Sequence, residues 1–187
     1  DEDFVDAAIE RARAAKCSAL VLTLDLQILG QRHKDLKNGL TSPPRPTIPN
    51  LLNIATKPRW AFGMAKTPRR QFRNIVGHVK GVQKLDDLTA WANEQYDPKL
   101  DWSKVTRIRD QWKGKFILKG VLDAEDAKLA ADAGADAVIV SNHGGRQLDG
   151  ALSSIRSLPA IARAIGDQTE VWLDSGIRSG QDVLKAL

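Results

Sequence analysis

Residues 116–142 read FILKGVLDAEDAKLAADAGADAVIVSN, and the reading of this stretch decides the fold. FILKG is short, apolar and suited to a strand, and DAVIVSN repeats that character further on. Between them DAEDAKLAADAG (123–134) has the composition of a capped helix closed by Gly134. Neither apolar run alternates with polar residues, so neither has a water-facing side. Strands of that kind, separated by helices, make a parallel sheet covered by helices.

The rhythm extends in both directions. Downstream, SSIRSLPAIARAIG (153–166) reads as a helix, EVWLDSG (170–176) as a strand and SGQDVLKAL (179–187) as the start of another helix. Upstream, FVDAAIERARAAK (4–16) sets Val5, Ala8, Ile9 and Ala12 at helical spacing, with acids early and bases late as the helix dipole prefers. SALVLTLD (18–25) follows as a short apolar strand ending at Asp25. LDDLTAWANEQY (85–96) and DWSKVTRIRDQW (101–112) are helix-like, the second with Asp101 as N-cap. Between 36 and 85 the pattern breaks, with Pro43, Pro44, Pro46, Pro49, Pro58 and Pro68 interrupting any long helix.

Composition bounds what this chain can be. Its 187 residues suit one domain or a piece of a larger one, and 42% hydrophobic residues can build a sizeable core. The single cysteine, Cys17, excludes an internal disulfide and favours a reducing compartment. No apolar run reaches the ~18 residues of a membrane-spanning helix and no signal peptide opens the sequence, so a soluble or peripheral protein is expected. The net charge of +5 is unevenly placed: residues 36–85 hold ten lysines and arginines and no acid, leaving the remainder at −5. A long stretch of one sign calls for an anionic partner or ample solvent.

The candidate strands finish at Asp25, Lys119, Ser141–His143 and Asp174, so polar and ionisable groups gather just past the apolar runs. In parallel α/β folds, above all β/α barrels, sites form at that edge of the sheet. The densest cluster is SNHGGRQLD (141–149). A lone histidine is more often a structural donor than a base. Here Gly144 and Gly145 permit close backbone approach and Arg146 follows, which favours an imidazole suited to proton abstraction near neutral pH. Lys119 ends an apolar strand and needs a negative partner. Arg178, beside a helix start near Ser179, suits an anion, although βα turns with a capping serine are common.

SNHGGRQLD resembles the signature of the FMN-dependent α-hydroxy-acid oxidising enzymes, a family of glycolate oxidases, lactate dehydrogenases and mandelate dehydrogenases. LVLTLDLQILGQRHKDLKNG (20–39), LKGVLDAEDA (118–127) and LDSGIRSGQDVLKAL (173–187) resemble further family segments in family order. The likeness covers nearly the whole chain and is weakest between 41 and 96. W-x-x-V-x-x-I-R-D-x-W (102–112) and KPRW (57–60) most resemble the bacterial L-lactate dehydrogenase branch.

The resemblance implies a (β/α)8 TIM barrel, to which these residues contribute about four βα units, strands 4–7. A variable basic excursion, roughly 36–100, follows the first unit within one domain spanning 1–187. It implies FMN as cofactor and oxidation of an (S)-2-hydroxy acid, L-lactate to pyruvate. Oxidation with O2 as in glycolate oxidase, or mandelate oxidation, stands as the alternative. Outside the enzymes, a non-catalytic phosphate-binding α/β scaffold is the other class. His143 would be the base, Asp25 its orienting carboxylate, and Arg146 and Arg32 the clamp on the substrate carboxylate. Arg32 on its own reads as a solvated charge; only its place in the motif gives it a role. Thr23, Lys119 and Ser141 would contact the flavin ring, with Lys119 steadying charge that gathers on reduction. Asp174, Gly176 and Arg178 match the ribityl and phosphate end.

The resemblance also implies a homotetramer, a quinone, cytochrome or O2 as electron acceptor, and units before and after these residues to close the barrel. Residues 57–80 interleave seven bases with Trp60, Phe62, Met64 and Phe72. A peripheral hold on the anionic inner face of the cell membrane suits them, as does a solvated loop covering the active site. Nucleic acid would also suit basic and aromatic residues, but a flavin site explains more of the chain. The expected location is cytoplasmic.

Overall fold

A computed structural model describes residues 2–28, 30–39, 47–68, 75, 78–79, 91 and 98–187. The chain divides into two compact units, 1–31 with 96–187, and 32–95. The helix expected over 85–96 lies outside the described residues, apart from Trp91.

The first unit is α/β. Its elements are α1 (Glu2–Ala14), β1 (Ala19–Thr23), α5 (Trp102–Gln111), β2 (Lys115–Val121), α6 (Ala124–Asp132), β3 (Ala137–Val140), α7 (Ser154–Ile165), β4 (Glu170–Leu173) and α8 (Gly180–Ala186). The strands form one sheet in the order β1-β2-β3-β4, every pair parallel. Each strand is laid beside its predecessor and the direction never reverses. That progression belongs to a barrel wall, whereas a doubly wound sheet switches direction midway.

Two side-chain sets alternate along the strands. Phe116, Leu118, Val138 and Val140 are fully buried and pack with Leu20, Leu22, Val171 and Leu173 under the helices. The helices return Ile9, Val105, Ile108, Ala127, Ala130, Ile161 and Ile165 to the same core. The opposite face carries Val21, Ile117, Ile139 and Trp172, joined in register as Val21↔Ile117 and Ile139↔Trp172.

β2 departs from regularity at one point. Lys119 pairs with Ile139 and Val121 with Val140, leaving Gly120 as the extra residue of a β-bulge at φ +100. The bulge shifts the phase of the strand. Val121 therefore stays in the helix-side core while Lys119 belongs to the other face.

The N-terminal edge of the sheet is built for stability. Asp136 Oδ2 accepts the Phe116 amide at 2.9 Å, Asp136 Oδ1 accepts from Lys115 Nζ at 2.7 Å, and Asp136 N–H returns a bond to the Phe116 carbonyl at 2.8 Å. The Lys115 hydrogen bond, then the Phe116 amide, hold the Asp136 carboxyl below its ordinary value.

The second unit holds α2 (His33–Lys37), α3 (Ile48–Ala55) and α4 (Pro58–Lys66). Prolines that interrupt a long helix here start short ones: Pro58 is the first residue of α4 and Pro49 the second of α3, where a missing N–H costs nothing. Thr47 caps α3 by accepting the Asn50 amide. No helix among the described residues is long and apolar enough to cross a membrane.

Candidate functional site

At the C-terminal edge of the sheet, four successive strand ends bring ionisable side chains together. Thr23 and Lys119 are direct register partners on β1 and β2, so their side chains leave the sheet on the same face. Lys119 Nζ donates to Ser141 Oγ at 2.9 Å, just past β3, and forms an ion pair with Asp174 Oδ2, just past β4. Ser141 is fully buried. Burial raises the Asp174 carboxyl, but bonds from Lys119, Ser141 and Ser175 outweigh it, and the group titrates below its ordinary value.

Asp25 follows β1 by two residues, and its Oδ1 lies 3.1 Å from His143 Nδ1. An ionised carboxylate only accepts, so this contact keeps the ring proton on Nδ1 and leaves Nε2 able to take a proton. Asp25 needs the bulge in β2. A Cβ on Gly120 would sit 2.7 Å from Asp25 Cγ and 3.0 Å from its amide nitrogen, so only glycine leaves that space. The Leu24 amide donates to the Lys119 carbonyl at 2.8 Å, which carries the pairing past the end of β1.

His143 opens a short 3-10 turn, His143–Gly145, in which all three residues have left-handed backbone, with φ +56, +67 and +69. Glycine adopts this freely; histidine does so only under constraint. Each amide of the turn is held by a side chain. His143 N–H donates to Ser141 Oγ at 3.1 Å, Gly144 N–H to Ser175 Oγ at 3.0 Å, and Gly145 N–H to Asn142 Oδ1 at 3.1 Å.

Arg146 follows the turn and is exposed. Its backbone is pinned against the loop after β1: Gln147 Nε2 donates to the Ile28 carbonyl at 3.1 Å, and a Cβ on Gly30 would lie 2.5 Å from the Arg146 carbonyl oxygen. Gly176 has φ +94, and Arg178 is exposed next to the start of α8. The backbone donors there already serve an anion of the chain itself, since Asp182 Oδ2 accepts the Arg178 and Ser179 amides at 3.1 and 3.0 Å. Those bonds, the Arg178 amide foremost, lower the Asp182 carboxyl.

Thr23, Asp25, Lys119, Ser141, His143 and Asp174 are thus joined through register and hydrogen bonds into one cluster, with Arg146 at its rim. Arg32 begins the second unit as the residue preceding α2. Four participants escaped the reading of the sequence. Asn142, Ser175 and Gly120 sit inside segments already singled out, and Gly30 lies in GQRHKDLKNG; what hid them is that their roles depend on backbone angles and on neighbours distant in sequence.

The donor set fits a flavin ring. A hydroxyl, an ammonium and a second hydroxyl stand on or just past adjacent strands, and Lys119 spends two of its three N–H groups on Ser141 and Asp174. One remains for an acceptor on a ring edge.

Comparison with known proteins agrees in chemistry. A family model described as FMN-dependent dehydrogenase matches residues 1–187. L-lactate dehydrogenase of Caulobacter sp. (strain K31) is 46% identical over 188 residues, covering 100% of this chain and 49% of that protein. L-lactate dehydrogenase of Haemophilus influenzae (strain PittEE) is 42% identical over 188 residues, with the same coverage. The chain spans about half the length of these relatives. A solved structure of the monotopic membrane protein (S)-mandelate dehydrogenase superposes with a TM-score of 0.89 at 34% identity, over 97% of this chain and 48% of that one. A mandelate oxidase with (S)-4-hydroxymandelic acid gives 0.71 at 35% identity, over 100% and 46%.

Proposed function

The chain belongs to the FMN-dependent dehydrogenase family, and from that premise we propose that the protein oxidises an (S)-2-hydroxy acid, L-lactate to pyruvate. The observation that carries the proposal is the joining of an Asp25–His143 pair to a Lys119–Asp174 pair through Ser141 at one edge of the sheet. Acid–base chemistry and a fixed cation beside an electron acceptor are the two requirements of such a reaction. The L-lactate dehydrogenases at 42–46% identity favour lactate over mandelate.

FMN, when bound, supplies the two-electron acceptor. Thr23, Lys119 and Ser141 would hold its ring, and Asp174, Gly176 and Arg178 its ribityl and phosphate end. His143 Nε2 takes the proton of the substrate hydroxyl while Asp25 keeps Nδ1 protonated and steadies the imidazolium that results. Arg146 binds the substrate carboxylate through its guanidinium fork, which fixes the face of the α-carbon presented for oxidation. The Lys119 ammonium, held by Ser141 and Asp174, offers positive charge at a fixed place and needs no reorganisation when negative charge develops.

The test is anaerobic mixing of the full-length, FMN-loaded enzyme with L-lactate, (S)-mandelate and glycolate, read as bleaching of flavin absorbance. L-Lactate is expected to bleach fastest, and His143→Gln to retain FMN while losing at least roughly 10²-fold in rate. Wild-type rates in that variant would remove the base assignment.

A second reading concerns place. α3 and α4 expose Ile48, Leu51, Leu52, Trp60, Phe62 and Met64, with Lys57, Arg59 and Lys66 on the same segment. An apolar helical surface with basic residues suits the headgroup region of an anionic membrane, and it starts earlier than the 57–80 stretch read from sequence. Peripheral attachment there would bring the enzyme to a membrane quinone or cytochrome as electron acceptor. Flotation with anionic liposomes should carry the protein, and Trp60→Ser with Phe62→Ser should release it; failure to float at low salt sinks this reading.

A further inference from the structure

Of the three amides in the His143–Gly145 turn, two are held by residues adjacent in sequence, Ser141 and Asn142. The third, that of Gly144, is held from the segment after β4 by Ser175 Oγ at 3.0 Å. The same hydroxyl donates to Asp174 Oδ1 at 2.8 Å, and the other oxygen of Asp174 pairs with Lys119. Among the described residues Ser175 thus ties the turn bearing His143 directly to the residues following β4, beside the path that runs from the His143 amide through Ser141 to Asp174.

Its own backbone is unusual. Ser175 has φ +74, a conformation that glycine adopts freely and serine rarely. The surroundings hold it there: Ser154, 2% exposed at the first turn of α7, donates to the Asp174 carbonyl at 2.7 Å. Glycine at position 175 would relieve the backbone and lose the hydroxyl. A residue that keeps a strained conformation while its side chain bridges two functional groups points to a use for that side chain.

The geometry points to Ser175 as a positioning residue for the reaction proposed above. Its hydroxyl sets the left-handed turn that aims His143, and couples that aim to the Lys119–Asp174 ion pair. The inference rests on the hydroxy-acid oxidation reading. It assigns to Ser175 no contact with substrate or cofactor.

The experiment compares Ser175→Gly, Ser175→Ala and Ser175→Thr with wild type in the full-length, FMN-loaded enzyme. Flavin-reduction rate and KM for L-lactate are measured alongside the denaturation midpoint. The rate is expected to follow the hydroxyl: serine and threonine fast, glycine and alanine slower by about tenfold at unchanged KM. Stability is expected to follow the backbone instead, with glycine highest and β-branched threonine lowest. A merely structural residue would make rate and stability move together. Equal rates in all four enzymes, or rates that track stability, overturn the assignment while leaving lactate oxidation intact. A wild-type enzyme that does not reduce its flavin with any 2-hydroxy acid overturns both. Should threonine fold poorly, Ser175→Gly and Ser175→Ala decide together: glycine frees the backbone and alanine keeps its strain, so equal slowing in both at different stabilities leaves the lost hydroxyl as the shared cause, and slowing in only one of them overturns the assignment.

Discussion

Replacing Gly120 with alanine tests how the fold aims the proposed acid–base pair, Asp25 and His143. Gly120 is the extra residue of the β2 bulge, at φ +100. An added Cβ would lie 2.7 Å from Asp25 Cγ and 2.8 Å from Asp25 Cβ. Ordinary contact begins near 3.4 Å, so the aspartate has to withdraw by roughly 0.7 Å. Asp25 Oδ1 stands 3.1 Å from His143 Nδ1. A withdrawal of that size along the line between them opens the contact to about 3.8 Å, beyond hydrogen-bond reach. Misplacing a catalytic group on this scale costs on the order of 10- to 100-fold in rate. The backbone adds a separate penalty, since an alanine in so sparsely populated a conformation costs of order 1–3 kcal/mol. Rapid-mixing measurement of flavin reduction by L-lactate, beside a denaturant titration, reads both effects. In an Asp25→Ala background the Cγ contact no longer exists. There Gly120→Ala should cost stability as before but little further rate. A Gly120→Ala enzyme reducing its flavin at the wild-type rate, or losing equally in both backgrounds, refutes the reasoning.

Three more outcomes follow from the same geometry. Lys119→Met keeps the length of the side chain and removes its charge; flavin reduction should slow by roughly 10²-fold, checked by rapid mixing at saturating lactate. Asp136→Ala leaves the buried Phe116 amide without its carboxylate acceptor and should cost about 1.5–3 kcal/mol by denaturant titration, with the reduction rate of loaded enzyme unchanged. The Lys115 side of that site is largely exposed and adds little. Asp136 and Asp174 both titrate below their ordinary values in the folded protein, so each contributes stability above the unfolded carboxyl pKa, about 3.9. That contribution is lost as pH falls through the lower folded values; acid denaturation of Asp136→Asn should show a shallower loss below pH 4, and an unchanged profile would contradict the linkage.

Much of this arrangement is legible in the sequence. Apolar runs without polar alternation, separated by amphipathic helical stretches, dictated a parallel sheet under helices, because strands apolar on both faces and helices apolar on one leave those two periodicities in the sequence. Polar residues at the ends of FILKG, DAVIVSN and EVWLDSG marked the edge where chemistry gathers. Within the basic excursion the sequence was less informative: its prolines read as breaks, whereas Pro49 and Pro58 begin α3 and α4. Proline at a helix start and proline ending a helix look alike until the neighbouring backbone is known.

By itself the sequence determined which side chains gather past the strand ends, since strand periodicity and local motifs are properties of neighbours along the chain. The tertiary structure decided how they are aimed. The bulge at Gly120 that keeps Val121 in the core after Lys119 and clears room for Asp25, and the Ser175 hydroxyl that reaches the Gly144 amide across 31 residues, depend on register and on left-handed backbone. Those are settled by which strands lie side by side, and a one-dimensional pattern does not record them.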